Sequence, residues 1–316
     1  MIHWPLAVSP FTVADRLKIG WRVLRGHQMT AGPEVRRYEE RWERYTGAKH
    51  AIMVANGSVA NELIAVRQRE RLIARGDWPH KNRVVFPLCN WVTSVSPWLR
   101  LGFEPVFVDV SQNLCAGVEE IAEVLIKDSE RHIGTVFYVT LLGQATRLVD
   151  LAKVCERHGA ALLLDNCESS LGFSSGLTRG MPAKYRNSEA HEAFDFHLAG
   201  TNARSSDLQA YMGALTFDRS VAFGKERIRL ATLFYGSLYH YKFCDITNGR
   251  CDTPLMALPI LPNPTYRSGG ASNLRGLLDT MGIEHRPIVG GNLLRHTAFK
   301  RYADARAFPR AQWLHD

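Results

Sequence analysis

The chain has 316 residues and a formal net charge of +8, with 46% hydrophobic and 22% charged residues. This length allows one large core or, more readily, two lobes, and the composition is typical of a globular protein. No apolar run is long enough to cross a membrane, and Met1–Pro5 lacks the basic and apolar segments of a secretory signal. We therefore expect neither a membrane protein nor a secreted one.

The charges alternate in sign along the chain, as in the stretch Glu34–Arg44. This pattern is typical of a solvated helix face and differs from the basic stripe that follows a nucleic-acid backbone. We therefore expect no nucleic-acid partner. The positive excess favours a small anionic ligand, such as a phosphorylated or nucleotide-linked one.

The six cysteines are scattered, and none forms a CxxC pair. Cys244 and Cys251 are the closest two, and no nearby histidine or cysteine cluster completes a metal-binding set with them. This distribution predicts reduced thiols in a cytoplasmic protein, with neither a disulfide framework nor a metal site.

Helical and strand patterns alternate from Pro33 to about Gly172. The predicted helices cover residues 34–45, 58–75, 91–101, 117–126 and 149–158, and the predicted strands cover 50–55, 82–87, 105–108, 133–140 and 160–164. Strands that alternate with helices indicate a mostly parallel sheet with crossover helices.

The pattern changes beyond this region. Residues 177–189 are polar and loop-like, and a helix over 205–216 is predicted to begin at an N-cap serine, Ser205 or Ser206. After about Arg229, four prolines interrupt short strands before a helix at 272–281. We therefore predict a large domain over residues 1–228 and a smaller C-terminal domain over residues 229–316.

The first candidate site is the stretch Ala55–Asn61, where a predicted strand ends and a helix begins. Gly57 permits an unusual backbone angle, and Ser58 is predicted to cap the helix. The free N–H groups and the dipole at a helix start favour an anion such as phosphate. The alternative interpretation is a simple strand-to-helix turn with a capping serine.

The second candidate site is the stretch Pro87–Ser94, at the end of another predicted strand. The Trp91 ring could lie on a planar ligand at this position. The alternative, favoured by this stretch alone, is that Trp91 starts a helix and faces the core.

The third candidate site follows the apolar strand Ala160–Leu164, which ends in Asp165, with Glu168 three residues later. Ligands bind at the carboxyl ends of strands in open α/β sheets. A carboxylate fixed there can keep a pyridinium nitrogen protonated, as pyridoxal chemistry requires. The alternatives are a surface acid or the ribose-binding acid of a dinucleotide site, but the chain lacks the glycine fingerprint of the latter.

Taken together, these stretches make the chain resemble the DegT/DnrJ/EryC1/StrS family of pyridoxal-phosphate enzymes that act on nucleotide-linked keto sugars. Within that family, it is most similar to the GDP-4-keto-6-deoxymannose 3-dehydratase branch. The resemblance is carried, in the order of the family, by residues 29–35, 56–61, 105–110, 141–143, 165–169, 200–204, 207–210 and 282–292.

The resemblance implies an α/β protein of PLP-dependent transferase fold type I, the aspartate aminotransferase-like fold. This fold has a mostly parallel central sheet with helices on both faces and a smaller C-terminal lobe. It also implies an N-terminal arm at residues 1–30, a truncated C-terminal lobe, and a cytoplasmic homodimer with shared active sites. The implied cofactor is pyridoxal 5'-phosphate or pyridoxamine 5'-phosphate, and the implied partner is a nucleotide-linked sugar substrate.

The family pattern also implies roles for individual residues. Gly57 and Ser58 would bind the cofactor phosphate, and Trp91 would stack on the pyridine ring. Asp165 would pair with the ring nitrogen, and Glu168 would lie near the oxygen side of the cofactor and the substrate.

Two further roles follow from the same pattern. Asn202 would reach the cofactor phosphate of the neighbouring subunit, and Arg286 would help to shape the sugar-nucleotide side of the site.

The chain departs from the family after the acidic motif. Relatives carry a catalytic lysine there, or a histidine in the dehydratase branch, followed by a Gly-Glu-Gly-Gly stretch. In this sequence Gly172–Gly176 is soon followed by Gly200–Asn202, and several dozen residues are missing. Lys184 and His197 are the candidate replacements for the base, although a loop lysine is more often simply solvated.

The resemblance implies 3-dehydration or amination of a nucleotide-linked 4-keto-6-deoxy sugar, as in polysaccharide or lipopolysaccharide O-antigen biosynthesis. The alternative is a catalytically inactive, loop-deleted member of the family that acts as a binding or partner subunit.

Overall fold

The computed structural model describes residues 3–5, 7–30, 32–111, 114–144, 147–169, 203–238, 244–245, 254–262 and 270–315. It contains two compact units, which we call the sheet unit and the helical unit. The sheet unit comprises Met1–Pro10, Asn61–Phe173 and Asp218–Asp316, and the helical unit comprises Phe11–Ala60 and Ser174–Phe217. The predicted domains 1–228 and 229–316 stay a prediction.

Helices and strands alternate over residues 57–165, as the sequence predicts. The helices are α1 (Val13–Leu24), α2 (Pro33–Thr46), α3 (Gly57–Ala74), α4 (Val92–Arg100), α5 (Val118–Lys127), α6 (Leu148–Arg157), α7 (Asp207–Leu238), α8 (Gly270–Thr280) and α9 (Pro309–His315). The strands are β1 (Arg83–Pro87), β2 (Glu104–Val108), β3 (Ile133–Val139), β4 (Ala161–Asp165), β5 (Cys244–Asp245) and β6 (Leu261–Pro262).

Four strands of the sheet unit form a parallel sheet in the order β2-β1-β3-β4. All seven residues of β3 are buried. Because successive side chains of a strand point to opposite faces, β3 is covered on both sides. The predicted parallel sheet is therefore confirmed, and its register aligns Val139 of β3 with Asp165 of β4.

The core of the sheet unit is aromatic where α4 packs on the sheet. The Trp98 side chain is fully buried, and its ring centroid lies 4.9 Å from that of Phe103 and 5.4 Å from that of Phe137. Edge-on contacts of this kind add to the gain from burial. They fix α4, and therefore its first residues, relative to the carboxyl ends of β1 and β3.

The helical unit has its own aromatic cluster. Tyr38, Trp42 and Tyr45 of α2 contact the Phe217 ring of α7 with centroids 5.2 to 6.2 Å apart. The Arg41 guanidinium lies 4.4 Å from the centroid of the same ring. Residues 38, 41, 42 and 45 share one helix face, so this face of α2 is the one that packs on α7.

Three predictions about these elements need correction. The predicted strand 50–55 does not form, since Val54 makes only an isolated bridge with Arg204. Helix α7 continues to Leu238 instead of ending near residue 216, because apolar residues recur without a proline. Helix α1 was not predicted, although Thr12 and Asp15 form a capping box at its start.

Ser206 is the serine that caps α7, as one of the two alternatives predicted. The Gln209 N–H donates to Ser206 Oγ at 3.1 Å, and the Ser206 N–H donates to Gln209 Oε1 at 3.3 Å.

Among the residues described, no helix is both long enough and apolar enough to span a membrane.

Any side chain at Gly134 in β3 should destabilise the fold. A Cβ atom there would lie 2.4 Å from the Lys81 carbonyl oxygen, whereas a Cβ at Gly20 in α1 would meet no atom within 4 Å. We expect Gly134→Ala to lower the free energy of unfolding by about 1–3 kcal/mol. Gly20→Ala should raise it by about 0.5–1 kcal/mol, because alanine favours the helix. Denaturant titration of both variants measures the two changes, and equal effects would contradict this account.

Candidate active site

Asp165 is the last residue of β4, and its side chain is only 9% exposed. Its Oδ2 accepts hydrogen bonds from Asn61 Nδ2 at 2.8 Å and from Ser94 Oγ at 3.1 Å, while Oδ1 accepts the Cys167 N–H at 3.2 Å. These are neutral donors, and Asp165 forms no ion pair with any residue that the structure describes. Within the described part of the chain, Asp165 is therefore a buried carboxylate without a cationic partner.

Helices α3 and α4 supply two of these donors. Asn61 lies in the second turn of α3, and Ser94 lies in the first turn of α4; both are buried. A carboxylate that accepts several hydrogen bonds is held in one orientation, which is the requirement for an anchor. The sequence predicted Asp165 and placed Asn61 and Ser94 in two other candidate stretches. It did not indicate that they contact Asp165, because they are 104 and 71 residues away from it.

Glu168 lies in the short 3₁₀ turn after β4. Its Oε2 accepts the Leu142 N–H at 2.5 Å. Leu142 has a left-handed backbone, with φ of 54°, in the turn Leu141–Gly143 that follows β3. This uncommon conformation for leucine aims an N–H at the carboxylate, so the turn after β3 and the turn after β4 are joined at the site.

Burial raises the pKa of the Glu168 carboxyl above its ordinary value, and the Asp165 carboxylate adds to the shift. The Leu142 N–H and the Arg286 guanidinium act in the opposite direction. Arg286 is therefore close enough to Glu168 for an electrostatic interaction. An acid with a raised pKa beside a buried carboxylate can exchange a proton more readily near neutral pH than an ordinary glutamate.

Cys167 lies between these two acids and is a free thiol, as are Cys89, Cys115 and Cys155. Desolvation, together with the Asp165 and Glu168 carboxylates, raises the pKa of Cys167 to about 12. The thiol is therefore protonated at neutral pH and is not a nucleophile, since the thiolate is the reactive form.

Trp91 follows β1 and is the N-cap residue of α4, with 48% of its surface exposed. The alternative that it faces the core is therefore wrong, although Trp91 does lie at the start of a helix. The neighbouring Asn90 is fully buried, and its Oδ1 accepts the Trp91 N–H at 2.7 Å. An exposed indole at a strand end is available to a planar ligand.

The segment after Arg286 packs against the end of β1. Asn292 bridges to Cys89, and the Leu293 N–H donates to the Leu88 carbonyl at 3.3 Å. A Cβ atom at Gly290 would lie 2.8 Å from the Asn90 carbonyl oxygen, so a glycine is needed for this approach. These contacts bring the C-terminal motif to the carboxyl end of the sheet, which sequence spacing alone did not predict.

The stretch around Gly57 lies in the helical unit and differs in detail from the prediction. Asn56 is the residue that caps α3, since its Oδ1 accepts the Val59 N–H at 3.0 Å, and Ser58 lies inside the first turn. Gly57 begins the helix without a left-handed backbone. Both Gly57 and Ser58 are exposed. The first N–H groups of a helix have no intrahelical acceptor, so this end can receive an anion.

Three of the predicted site residues, Lys184, His197 and Asn202, lie outside the described residues. Their roles stay predictions.

Two relatives align along nearly the whole chain. One is the GDP-4-keto-6-deoxy-D-mannose 3-dehydratase of Escherichia coli O55:H7, which is 25% identical over 362 residues, covering 96% of this chain and 90% of the relative. The other is the enzyme of the same name from Yersinia pseudotuberculosis, which is 23% identical, covering 96% and 89%. Because the first alignment extends over 362 residues and the chain has 316, that relative has stretches without a counterpart here.

Solved structures share the fold. The structure of E. coli GDP-4-keto-6-deoxy-D-mannose-3-dehydratase with bound hydrated PLP has a TM-score of 0.85 at 23% identity, covering 100% of this chain and 94% of that one. A Helicobacter pylori aminotransferase involved in the biosynthesis of pseudoaminic acid has a TM-score of 0.79 at 16% identity, covering 99% and 92%. The predicted α/β fold of the PLP-dependent transferases is confirmed.

A family model matches residues 14–176, which is more than half of the chain. The protein therefore belongs to the DegT/DnrJ/EryC1/StrS aminotransferase family.

Proposed function

We propose that the protein is an enzyme that uses pyridoxal or pyridoxamine 5'-phosphate to modify a nucleotide-linked 4-keto-6-deoxy sugar, by 3-dehydration or by amination. The observation that carries this proposal is the buried Asp165 carboxylate, which only neutral donors hold within the described residues.

The geometry around Asp165 fits the proposed cofactor. A buried carboxylate without a counter-ion is costly, and a cationic ring N–H would remove that cost. Asp165 Oδ2 accepts two hydrogen bonds and Oδ1 accepts one, from the Cys167 N–H, so Oδ1 has acceptor capacity left for a ring nitrogen. When bound, such a cofactor supplies an electron sink for the carbon attached to its amine. Asp165 would hold the proton on the ring nitrogen and so maintain that sink.

Other residues of the site would share the remaining tasks. The exposed Trp91 indole would lie on the ring and exclude water from one face. Glu168, with its raised pKa, would hold or release a proton on the substrate side. The Arg286 guanidinium, which is near Glu168, would attract the phosphates of a nucleotide-linked sugar.

The relatives support the class of substrate. Both full-length relatives are named as 3-dehydratases of a GDP-linked 4-keto-6-deoxy sugar, which favours 3-dehydration. Amination has support from the UDP-4-amino-4-deoxy-L-arabinose–oxoglutarate aminotransferase of Shewanella sediminis, which is 35% identical over 40% of this chain. The net charge of +8 is consistent with either anionic substrate.

The base for proton transfer is proposed to be His197 or Lys184.

We also propose a cytoplasmic homodimer in which Asn202 contacts the cofactor phosphate bound to the neighbouring subunit. The alternative of an inactive binding subunit has the alignment length in its favour, because the relatives contain stretches that this chain lacks.

Titration with pyridoxal phosphate followed by borohydride tests the proposal. An absorbance change that borohydride does not trap would indicate a histidine-based site, and Lys184→Gln should then leave the spectrum unchanged. A trapped adduct on Lys184 would indicate a lysine-based site. If cofactor binds but the GDP-linked keto sugar is not converted, the inactive alternative holds. An absence of cofactor binding would overturn the proposed function.

Asp165→Asn should weaken cofactor binding by about tenfold or more, because a charge-assisted hydrogen bond is lost. The absorbance band of the ring-protonated cofactor should also weaken at neutral pH. Asp109→Asn is the matched control, since Asp109 also follows a strand of the sheet but accepts the Arg310 and Ala311 N–H groups at the start of α9. Equal affinity losses in the two variants would contradict the anchor role.

Glu168→Gln should become more stable relative to wild type as the pH rises above the ordinary glutamate pKa of about 4.3. Because the folded pKa of Glu168 is raised, the wild-type carboxyl stabilises the fold when protonated and loses that contribution on ionisation. Glutamine stays neutral and can still accept the Leu142 N–H. Denaturant titrations at several pH values measure the difference.

Glu123→Gln serves as the control for that titration, because hydrogen bonding to Lys127 lowers the pKa of this exposed acid. Its stability relative to wild type should not rise over the same range. A pH-independent difference for Glu168→Gln would contradict the raised pKa.

A further inference from the structure

Asp207 begins α7 and is fully buried in the helical unit. Its Oδ1 accepts the N–H groups of Glu34 at 2.8 Å and Val35 at 3.1 Å, which are the first-turn donors of α2. The N-cap residue of α2 is Gly32, which has no side chain to accept them. A side chain 173 residues away therefore caps this helix.

The other carboxylate oxygen of Asp207 forms an ion pair with Arg22. Arg22 of α1 donates to Oδ2 at 2.8 Å and lies 3.3 Å from the Glu34 carboxylate, and its guanidinium is 4.7 Å from the Tyr211 ring centroid. The Arg22 side chain is 14% exposed and that of Asp207 is 0% exposed. Removing one member of such a buried pair leaves the other charge without compensation, so the pair joins α1, α2 and α7 firmly.

Gly32 confirms how tight this junction is. A Cβ atom at position 32 would lie 2.7 Å from Asp207 Cγ and 2.7 Å from its Oδ1. The carboxylate thus occupies the space that any side chain at this position would need.

The backbone beside Asp207 extends this junction toward the start of α3. The Asp207 N–H donates to the Met29 carbonyl at 2.8 Å, and Ser206 bridges to Thr30. Two residues earlier, Arg204 bridges to Val54, and the Ala203 carbonyl accepts the Ala55 N–H at 3.2 Å. Ala55 directly precedes the turn Asn56–Ser58, so the segment 203–206 holds this turn from one side.

We propose that Asp207 is a positioning residue for the anion-binding turn Asn56–Ser58. This inference rests on the proposed function and on the role predicted for Gly57 and Ser58, which would bind the cofactor phosphate. The Asp207 carboxylate fixes the start of α7 against α1 and α2, and the extended segment 203–206 transmits that position to Val54 and Ala55. The first N–H groups of α3 are thereby held in place before the phosphate arrives.

Binding of pyridoxal phosphate and of pyridoxal, which lacks the phosphate, separates this role from a general structural one. We expect Asp207→Asn in the full chain to lower the affinity for pyridoxal phosphate by about tenfold or more. The affinity for pyridoxal should stay within about twofold of wild type, because ring contacts are not involved. Absorbance titrations of both ligands, with the melting temperature of each variant, provide the measurement.

Arg22→Gln provides a second variant if Asp207→Asn does not fold, and it should show the same selective loss. Arg41→Gln is its matched control, because Arg41 also packs on α7 in the helical unit, where it contacts the Phe217 ring and the Ala214 carbonyl. It should bind both ligands as wild type does.

Equal losses for both ligands, or no loss in a folded variant, would overturn the positioning role and leave the proposed function intact. A wild-type chain that binds neither ligand would overturn the proposed function and this inference with it.

Discussion

The interaction on which the sheet unit depends is the set of hydrogen bonds to the Asp165 carboxylate. Asn61 of α3, Ser94 of α4 and the Cys167 N–H converge on it at the end of β4. Three elements that are distant in sequence therefore share one buried acceptor. Hydrophobic burial alone would tolerate small shifts between these elements, but a carboxylate with several directed donors does not, because each lost hydrogen bond leaves a buried polar group unpaired.

Much of the fold could be predicted from the sequence because apolar periodicity and strand length report burial directly. The strands that became β1 to β4 and the helices between them were predicted to within about two residues, which is the usual uncertainty of helix and strand ends. The strand predicted at residues 50–55 does not form because its pairing depends on a distant segment. Within the described residues, that segment contributes the Val54–Arg204 bridge and the hydrogen bond from the Ala55 N–H to the Ala203 carbonyl. Local pattern carries no information about such a partner.

The candidate site was also predicted only in part from the sequence. Asp165 was recognisable because an acid directly follows an apolar strand, and Trp91 because it follows another. Their partners were not recognisable, since a buried asparagine and a helix serine have no local pattern of their own. The predicted cap of α3, Ser58, was wrong for a similar reason. Asparagine and serine both cap helices well, and the hydrogen bond that the Val59 N–H donates identifies Asn56 as the cap.

The long sequence separations around Asp165 have a consequence for how the protein is made. Asn61 and Ser94 are synthesised 104 and 71 residues before the carboxylate that they will contact. During translation, the first three strands can pair while these two donors still face solvent. Closure of the site requires these two non-local contacts, and their long sequence separation adds a chain-entropy cost to folding. A chain whose synthesis stopped before β4 would contain three of the four strands of the sheet but not Asp165.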